Sequence, residues 1–229
     1  MIKIGKLSEV SESKSDISKG YLDIKPVKNM SDQEASDFIA KEFEKAHGEA
    51  ETDTYDKLLS EVFNRSEDEL SIDFNISDRI MAVLEKFNPE DWKTLDIKEQ
   101  MSAVKDLVKA IGKELEIDKL PEIEILEDED DAYGLFDVTT NKIFLNLKYF
   151  DDPIEMVNTV AHELRHAYQH MRAEVLDTWE DALYKVNFEN YISPLPLPGG
   201  GYLFFVDYFN QYVEVDARAF ANLFTEAML

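Results

Sequence analysis

The stretch AHELRHAYQH, residues 161–170, decides the fold, because it places three of the chain's four histidines in one predicted helix. It contains the spacing H-E-x-x-H. Residues four apart lie on one face of an α-helix, about 6 Å from each other, so His162 and His166 can each direct a ring nitrogen at the same ion. Glu163 lies beside them, where its carboxylate can take a proton from metal-activated water. The stretch therefore predicts a metal-binding helix.

The residues around this stretch define the bounds and the faces of the helix. Asp152 is the expected N-cap and Pro153 the first-turn residue, and the helix is predicted to end near Val175. Apolar residues recur at three- and four-residue intervals and form a stripe centred on Leu164. At about 100° per residue, the two histidines of the motif lie roughly 160° from that centre. We therefore expect one face in the core and the opposite face in a polar cleft.

The helix alone cannot complete a catalytic zinc site, which normally has three protein ligands and leaves the fourth position to water. His170 lies eight residues beyond His162, about 12 Å along the axis, which is too far to share one ion. The extended motif with a glycine turn and a third histidine is also absent. We therefore interpret His170 as a cleft-wall or surface residue.

A second predicted helix near the C-terminus contains the sequence YVEVDARAFA, residues 212–221. A helical H-E-x-x-H followed some tens of residues later by E-x-x-A-x-x-F-A resembles the gluzincin arrangement. The resemblance is greatest to the compact intracellular zincin peptidases, a group that includes phage-repressor-cleaving and stress-response enzymes. It covers roughly the segment from Leu120 to the C-terminus and implies a zincin-like metallopeptidase domain.

The resemblance gives each motif residue a role. It implies that Zn²⁺ is the cofactor and that its protein ligands are His162, His166 and Glu214. It implies further that Glu163 is the catalytic general base of peptide-bond hydrolysis. Because each ligand binds as neutral imidazole or carboxylate, acid is expected to release the metal.

Two positions depart from the pattern of those peptidases. Arg165 stands where they often have Gly, and Arg218 stands where they often have the Asn or Asp that contacts a metal ligand. Asp216 falls inside the apolar stripe of its helix, where a carboxylate without a partner would be costly. We expect it to hold the distal N–H of a ligand histidine or to bind the metal itself, with pairing to Arg218 or a backbone donor as the alternative. We favour Glu214 as the metal ligand.

Three segments upstream of the metal helix have the composition and alternation of strands: Pro121–Leu126, Tyr133–Val138 and Lys142–Asn146. They predict a small antiparallel sheet with one face on the core. In zincins, the strand nearest the metal helix has a free edge that pairs with an extended peptide. Tyr133–Val138 is our candidate for that edge, and an ordinary hairpin is the alternative.

Two segments are expected to be irregular. The acidic stretch Glu127–Asp131 lacks the spacing and the central glycine of a calcium loop and is predicted to be a solvated turn. The Pro- and Gly-rich stretch Ser193–Gly201 is predicted to exclude regular structure and to be either a lid over the cleft or a plain connector. Tyr202, Tyr208 and Tyr212 follow it, and one of them could hydrogen-bond a tetrahedral oxyanion.

The fold class expected is α+β and zincin-like. It comprises a small antiparallel sheet, the metal-binding helix and a C-terminal ligand helix, with an N-terminal helical extension. We place an N-terminal arm and helical region in residues 1–95 and the metallopeptidase domain in residues 96–229. The expected N-terminal features are an arm over residues 1–29, a capping box at Ser31–Glu34 with a helix that Gly48 closes, short helices at Tyr55–Phe63 and Asp78–Phe87, and a second capping box at Asp96–Glu99 whose helix reaches Leu115.

The composition narrows the classes of partner. The chain has 24 basic and 49 acidic residues, and 24 − 49 gives a net charge of −25, which argues against nucleic acid and favours basic or neutral peptides. No apolar stretch approaches membrane-spanning length, and no secretory signal is evident, so we expect a cytoplasmic protein, with signal-less export as the alternative. The absence of cysteine excludes disulfides and thiolate ligands. The sequence does not indicate the oligomeric state.

The sequence therefore predicts a zinc-dependent peptidase. The alternatives are a catalytically silent zincin-fold binding module and an effector or toxin protease that acts on one specific protein. Both enzyme hypotheses predict that Glu163→Gln retains the metal and abolishes activity, whereas a binding module would be indifferent to that change.

Overall fold

The structure is a computed structural model that describes residues 54–63, 66, 70–126, 132–197 and 201–229. The predicted N-terminal arm, the capping box at Ser31–Glu34 with its helix, and the acidic stretch Glu127–Asp131 lie outside the described residues. The described part of the chain is α+β, as expected. Since most of the expected N-terminal region lies outside it, the division at residue 95 stays a prediction.

Eight α-helices and five strands are described. The helices are α1 (Thr54–Val62), α2 (Asp78–Leu84), α3 (Pro89–Trp92), α4 (Ile97–Glu114), α5 (Pro153–Val175), α6 (Trp179–Glu189), α7 (Phe205–Phe209) and α8 (Tyr212–Ala227). The strands are β1 (Glu122–Leu126), β2 (Gly134–Asp137), β3 (Lys142–Asn146), β4 (Leu195–Pro196) and β5 (Tyr202–Leu203). Short 3-10 turns follow α2 and β3 at Glu85–Phe87 and Leu147–Tyr149.

Side-chain caps explain where the long helices α4 and α5 begin. The Asp96 side chain accepts hydrogen bonds from the N–H groups of Lys98 and Glu99, and the Glu99 carboxylate accepts one from the Asp96 N–H. Asp152 accepts from the N–H groups of Ile154 and Glu155, both at 3.1 Å. The predicted N-caps of α4 and α5 are therefore confirmed.

The first compact unit contains, among the described residues, 71–168 and 217–229. Its core includes the apolar stripe of α5, since Val157, Val160, Ala161 and Leu164 have no solvent exposure. Full burial of a Val or Leu side chain stabilises a fold by roughly 1.5–3 kcal/mol, so this stripe anchors the helix firmly. The predicted core face of α5 is confirmed from Val157 to Leu164, whereas Val175, the last residue of the predicted stripe, is 45% exposed.

The sheet of this unit has the strand order β1-β3-β2. β2 and β3 form the predicted antiparallel hairpin, but β1 runs parallel to β3, so the expectation of a wholly antiparallel sheet is wrong. Alternation of apolar residues encodes which face of a strand is buried and says nothing of the direction of its neighbour. β2 lies at an edge, as predicted for Tyr133–Val138.

The second compact unit contains, among the described residues, those between 54 and 70 together with 169–216. Within it α1 packs on α6, where Trp179 donates to the Glu61 carboxylate at 3.0 Å. A capping box between Thr178 and Asp181 begins α6. Helices α5 and α8 each contribute residues to both units.

The Pro- and Gly-rich stretch contains more regular structure than the sequence predicts. β4 pairs with β5 in an antiparallel ribbon, with Leu195 opposite Leu203 and Pro196 opposite Tyr202. The prediction of irregular structure over the whole of Ser193–Gly201 is therefore wrong at β4. A two-stranded ribbon tolerates proline, because half of its N–H groups face away from the partner strand.

Within the described residues, no helix combines the length and the apolar character that crossing a bilayer requires.

Candidate metal centre

The two motif histidines direct their ring nitrogens at a common point. Their Nε2 atoms are 3.1 Å apart, and their rings are nearly perpendicular, with centroids 4.7 Å apart. Two nitrogens bound to one tetrahedral zinc ion at about 2.1 Å would be roughly 3.4 Å apart. The spacing of His162 and His166 therefore suits two ligands of a single ion.

Glu214, in the first turn of α8, provides the third donor. One donor atom each from His162, His166 and Glu214 lie within 4.8 Å of one another. They are the one group of three such side chains among the residues that the structure describes. His162 and Glu214 are buried and His166 is half-buried. Two imidazoles and one carboxylate form a known donor set of catalytic zinc, so the predicted residues fit that ion.

The Glu214 carboxylate is held by two tyrosine hydroxyls. Tyr191 donates to Oε1 at 2.7 Å, and Tyr208 donates to Oε2 at 3.1 Å. A carboxylate oxygen has two lone pairs, so each can accept a hydroxyl and still bind a cation. Hydrogen bonds of this kind orient metal ligands and increase metal affinity. We define Tyr191 and Tyr208 as the tyrosine clamp.

A buried amide network fixes the start of α8 and therefore the backbone of Glu214. Asn187 accepts from the Val213 N–H at 2.8 Å and donates to the Gln211 side chain at 2.9 Å. Gln211 in turn bonds both the N–H and the carbonyl of Ile192. Asn187 and Gln211 have no solvent exposure, and a buried amide that lost its partner would cost about 1–3 kcal/mol. The network therefore fixes the backbone beside Glu214 relative to the backbone beside Tyr191.

Glu163 is held between its helix and the edge strand of the sheet. Its Oε2 atom accepts the Phe136 N–H at 2.8 Å. A Cβ atom on Gly134 would lie 2.6 Å from Cγ2 of Thr159 and 3.4 Å from Cγ of Glu163. Only glycine at residue 134 therefore allows β2 to approach α5 this closely.

Among the described residues, the edge of β2 opposite β3 pairs with no strand, and it faces this carboxylate. The Asn146 N–H donates to the Tyr133 carbonyl, which makes these two residues a hydrogen-bonded pair. Pairs alternate along an antiparallel ladder, so Gly134 and Phe136 turn their backbone groups away from β3. The Phe136 bond to Glu163 agrees with this alternation. The edge therefore presents backbone groups beside the proposed general base.

Asp216 is buried among neutral donors. Gln169 donates to Oδ2 at 2.6 Å, and the Tyr184 hydroxyl lies 3.2 Å from the same atom and 3.0 Å from a Glu180 oxygen, which share its one proton. The sequence predicts that this buried carboxylate needs a partner, and it has two that the sequence does not indicate. Glu214, and not Asp216, belongs to the group of three donors.

The other residues that the sequence analysis names as candidates lie outside the group of three donors. The Tyr212 hydroxyl faces Glu180 at 3.4 Å, and Tyr202 lies in β5, so Tyr208 is the predicted tyrosine that contacts a proposed ligand. His170 stacks on the Phe188 ring at 3.7 Å and is outside the donor group. Arg165, at the position where Gly was expected, is buried.

Arg165 packs against aromatic rings. Its guanidinium lies 4.7 Å from the centroid of Tyr168 and 5.0 Å from that of Phe220. Such cation–π contacts stabilise a desolvated guanidinium. The side chain at this position is therefore a large residue that packs in the interior, where the motif that the sequence resembles often has Gly.

Burial affects two ionisable groups near the N-terminal half of α5. Burial raises the pKa of Glu155, the Asp152 carboxylate raises it further, and His162 opposes the rise. Burial also raises the pKa of Tyr133, as does the charge of Glu155. Glu155 is therefore a carboxylate whose ionised form is disfavoured in the folded protein.

No protein-family model matches the chain, and no curated protein or solved structure is significantly similar to it. The function must therefore be argued from the geometry of the site.

Proposed function

We propose that this protein is a zinc-dependent peptidase with a zincin-like fold. Its protein ligands to Zn²⁺ are His162, His166 and Glu214, and its general base is Glu163. The observation that supports this most is the convergence of three donors of the right chemistry beside a carboxylate that the edge strand orients. An ion held by this donor set supplies Lewis acidity, which polarises a carbonyl oxygen and acidifies water.

Glu163 takes the proton from the attacking water and passes it to the leaving amine. The Phe136 N–H fixes one oxygen of its carboxylate, so the base does not have to be ordered during the reaction. The Tyr208 hydroxyl carries one proton, which Glu214 accepts in this structure, so Tyr208 can stabilise the developing oxyanion only by exchanging Glu214 for it.

The substrate of this proposal is an extended peptide. It adds to the outer edge of β2 through the backbone groups of Gly134 and the carbonyl of Phe136, since the Phe136 N–H is bonded to Glu163, and it brings its own carbonyl towards the donor set. The net charge of −25 favours peptides that are basic or neutral overall. A cytoplasmic location stays a prediction.

The test combines metal analysis with peptide cleavage. We expect the wild type and Glu163→Gln to bind one equivalent of zinc, and His162→Ala to lose it. We expect Glu163→Gln to cleave a peptide library at least about 10²-fold more slowly than the wild type, which is the usual contribution of a general base.

Two results would count against the proposal. A wild-type protein that binds no zinc would exclude the metal site. Zinc binding without cleavage by the wild type would favour a silent binding module. A third result, cleavage confined to one folded protein, would leave the peptidase in place and favour the effector hypothesis.

A further inference from the structure

Five exposed apolar side chains lie in and beside the β4–β5 ribbon and at the start of α7, in the segment that precedes the proposed ligand Glu214. The side chains concerned are Leu195, Leu197, Leu203, Phe204 and Val206, which are 51%, 43%, 47%, 46% and 66% exposed. We call these five residues the apolar hairpin. Single exposed apolar residues are ordinary, but a cluster of them indicates a binding surface.

The sequence around the apolar hairpin departs from the rest of the chain. Residues 191–206 contain no charged side chain, although 32% of the whole chain is charged and its net charge is −25. A region of this kind offers little attraction to a basic side chain. It would instead gain free energy by removing the apolar surface of a ligand from water.

Phe204 has a strained backbone conformation. Its φ of 61° lies in the left-handed region, and it directly precedes α7. A bulky residue pays about 1–2 kcal/mol for this conformation, which is usually left to Gly or Asn. Strain of this kind is concentrated at binding and catalytic sites.

Aromatic rings connect the apolar hairpin to the proposed metal site. The Phe205 ring lies 6.5 Å from Tyr202 and 6.3 Å from Tyr208, measured between centroids. The Tyr208 hydroxyl then donates to Glu214 at 3.1 Å. Side chains on one face of an extended peptide repeat about every 6.5–7 Å, so a peptide at the metal would reach this surface within a few residues.

We propose that the apolar hairpin is a specificity determinant that binds one large apolar side chain, such as Leu or Phe, of a peptide substrate close to the bond that is cleaved. This inference rests on the proposed function. The substrate class is therefore a peptide with an apolar residue beside the cleavage site, whatever basic residues lie farther away.

The test compares paired synthetic peptides that differ only in Leu or Ser at one position, and it scans the three positions on either side of the cleaved bond. We expect the zinc-loaded wild type to prefer the Leu peptide in kcat/KM by about ten- to a hundredfold, which is the usual discrimination of an apolar pocket. Leu203→Ser and Val206→Ser should each reduce this preference severalfold. The matched control is Val175→Ser, at an exposed valine of α5 outside the apolar hairpin.

Binding measurements separate failure of this inference from failure of the proposed function. Fluorescence anisotropy of both labelled peptides with Glu163→Gln reports binding without cleavage. A Leu preference in binding that Val206→Ser abolishes would support the inference even if the wild type cleaves nothing. Cleavage with equal kcat/KM for both peptides would overturn the inference and leave the peptidase in place.

Two further outcomes would also overturn the inference. If the Leu preference survives intact in Leu203→Ser and Val206→Ser, the specificity lies elsewhere. If the wild type is a dimer by analytical ultracentrifugation and Val206→Ser dissociates it, the occupant is a second copy of the chain.

Discussion

At the scale of single residues, the tyrosine clamp gives the most specific expectation. Tyr191→Phe and Tyr208→Phe each keep the ring and remove one hydroxyl from the Glu214 carboxylate. Loss of a hydrogen bond to a metal ligand typically weakens metal affinity 10- to 100-fold, so each variant should bind zinc at least about tenfold more weakly. Zinc titration against a competing chelator measures this.

Tyr212→Phe is the control for the clamp, because its hydroxyl faces Glu180 and it lies on the same helix as the ligand. Unchanged zinc affinity in both clamp variants would mean that the hydroxyls do not support the ligand.

Glu214 and Asp216 can be distinguished by isosteric substitution. Glu214→Gln should lose zinc, whereas Asp216→Asn should retain it, because Asp216 is bonded to Gln169 and Tyr184 outside the donor group. Asp216→Ala should lower the free energy of unfolding by about 1–3 kcal/mol, since it leaves buried donors without an acceptor. Metal analysis and urea unfolding give the two results. Zinc loss in Asp216→Asn with retention in Glu214→Gln would reverse the assignment.

Glu155 should make stability depend on pH. Its pKa is raised in the folded state, so the folded protein binds the proton more tightly and loses stability as pH rises from the unfolded-state pKa through the folded-state pKa. Glu155→Gln should therefore raise Tm at neutral pH, and this gain should vanish in acid below the unfolded-state pKa. Thermal unfolding of EDTA-treated protein across pH tests this. A gain that grows in acid would contradict the assigned direction.

At the scale of elements, the approach of β2 to α5 depends on Gly134. The Cβ of Gly134→Ala would overlap Cγ2 of Thr159, so the strand should shift away from Glu163. We expect a loss of about 1–3 kcal/mol in stability and a large loss of cleavage, with zinc still bound. Adding Thr159→Ser removes that methyl group and should restore part of both. Full activity in Gly134→Ala alone would show that the contact is unimportant.

The elements also show which features a single sequence can predict. The bounds of α4 and α5 follow from caps and apolar repeats that lie within a few residues of each other, and the structure confirms both. The parallel direction of β1 and the pairing of β4 with β5 depend on neighbours that apolar alternation does not encode. Local signals therefore predict the elements better than the way in which they pair.

In the candidate site too, the sequence predicts some residues and not others. The spacing of His162 and His166 is local to one helix, and the resemblance supplied Glu214. Tyr191 contacts Glu214 across 23 residues of sequence, and Gln169 contacts Asp216 across 47. Neither contact has a sequence pattern, because the partners are far apart in the chain: Gln169 lies in α5 and Tyr191 follows α6, and both carboxylates lie in α8.

At the scale of the whole molecule, charge and apolarity select different parts of a ligand. The net charge of −25 acts over distances comparable to the Debye length, about 8 Å at physiological salt, and attracts basic peptides without positioning them. The uncharged segment 191–206 acts only on contact. Added salt should therefore slow peptide association while the preference for Leu over Ser persists.

The central claim is that one zinc ion is bound by two imidazoles and a carboxylate. X-ray absorption at the zinc edge of the stoichiometrically loaded protein tests it most directly. The claim predicts nitrogen and oxygen ligands at about 2.0–2.2 Å with the outer-shell scattering of two imidazole rings, and the same spectrum in Glu163→Gln, which keeps all three ligands. A spectrum with only oxygen ligands, or one with the scattering of fewer than two imidazole rings, would contradict it.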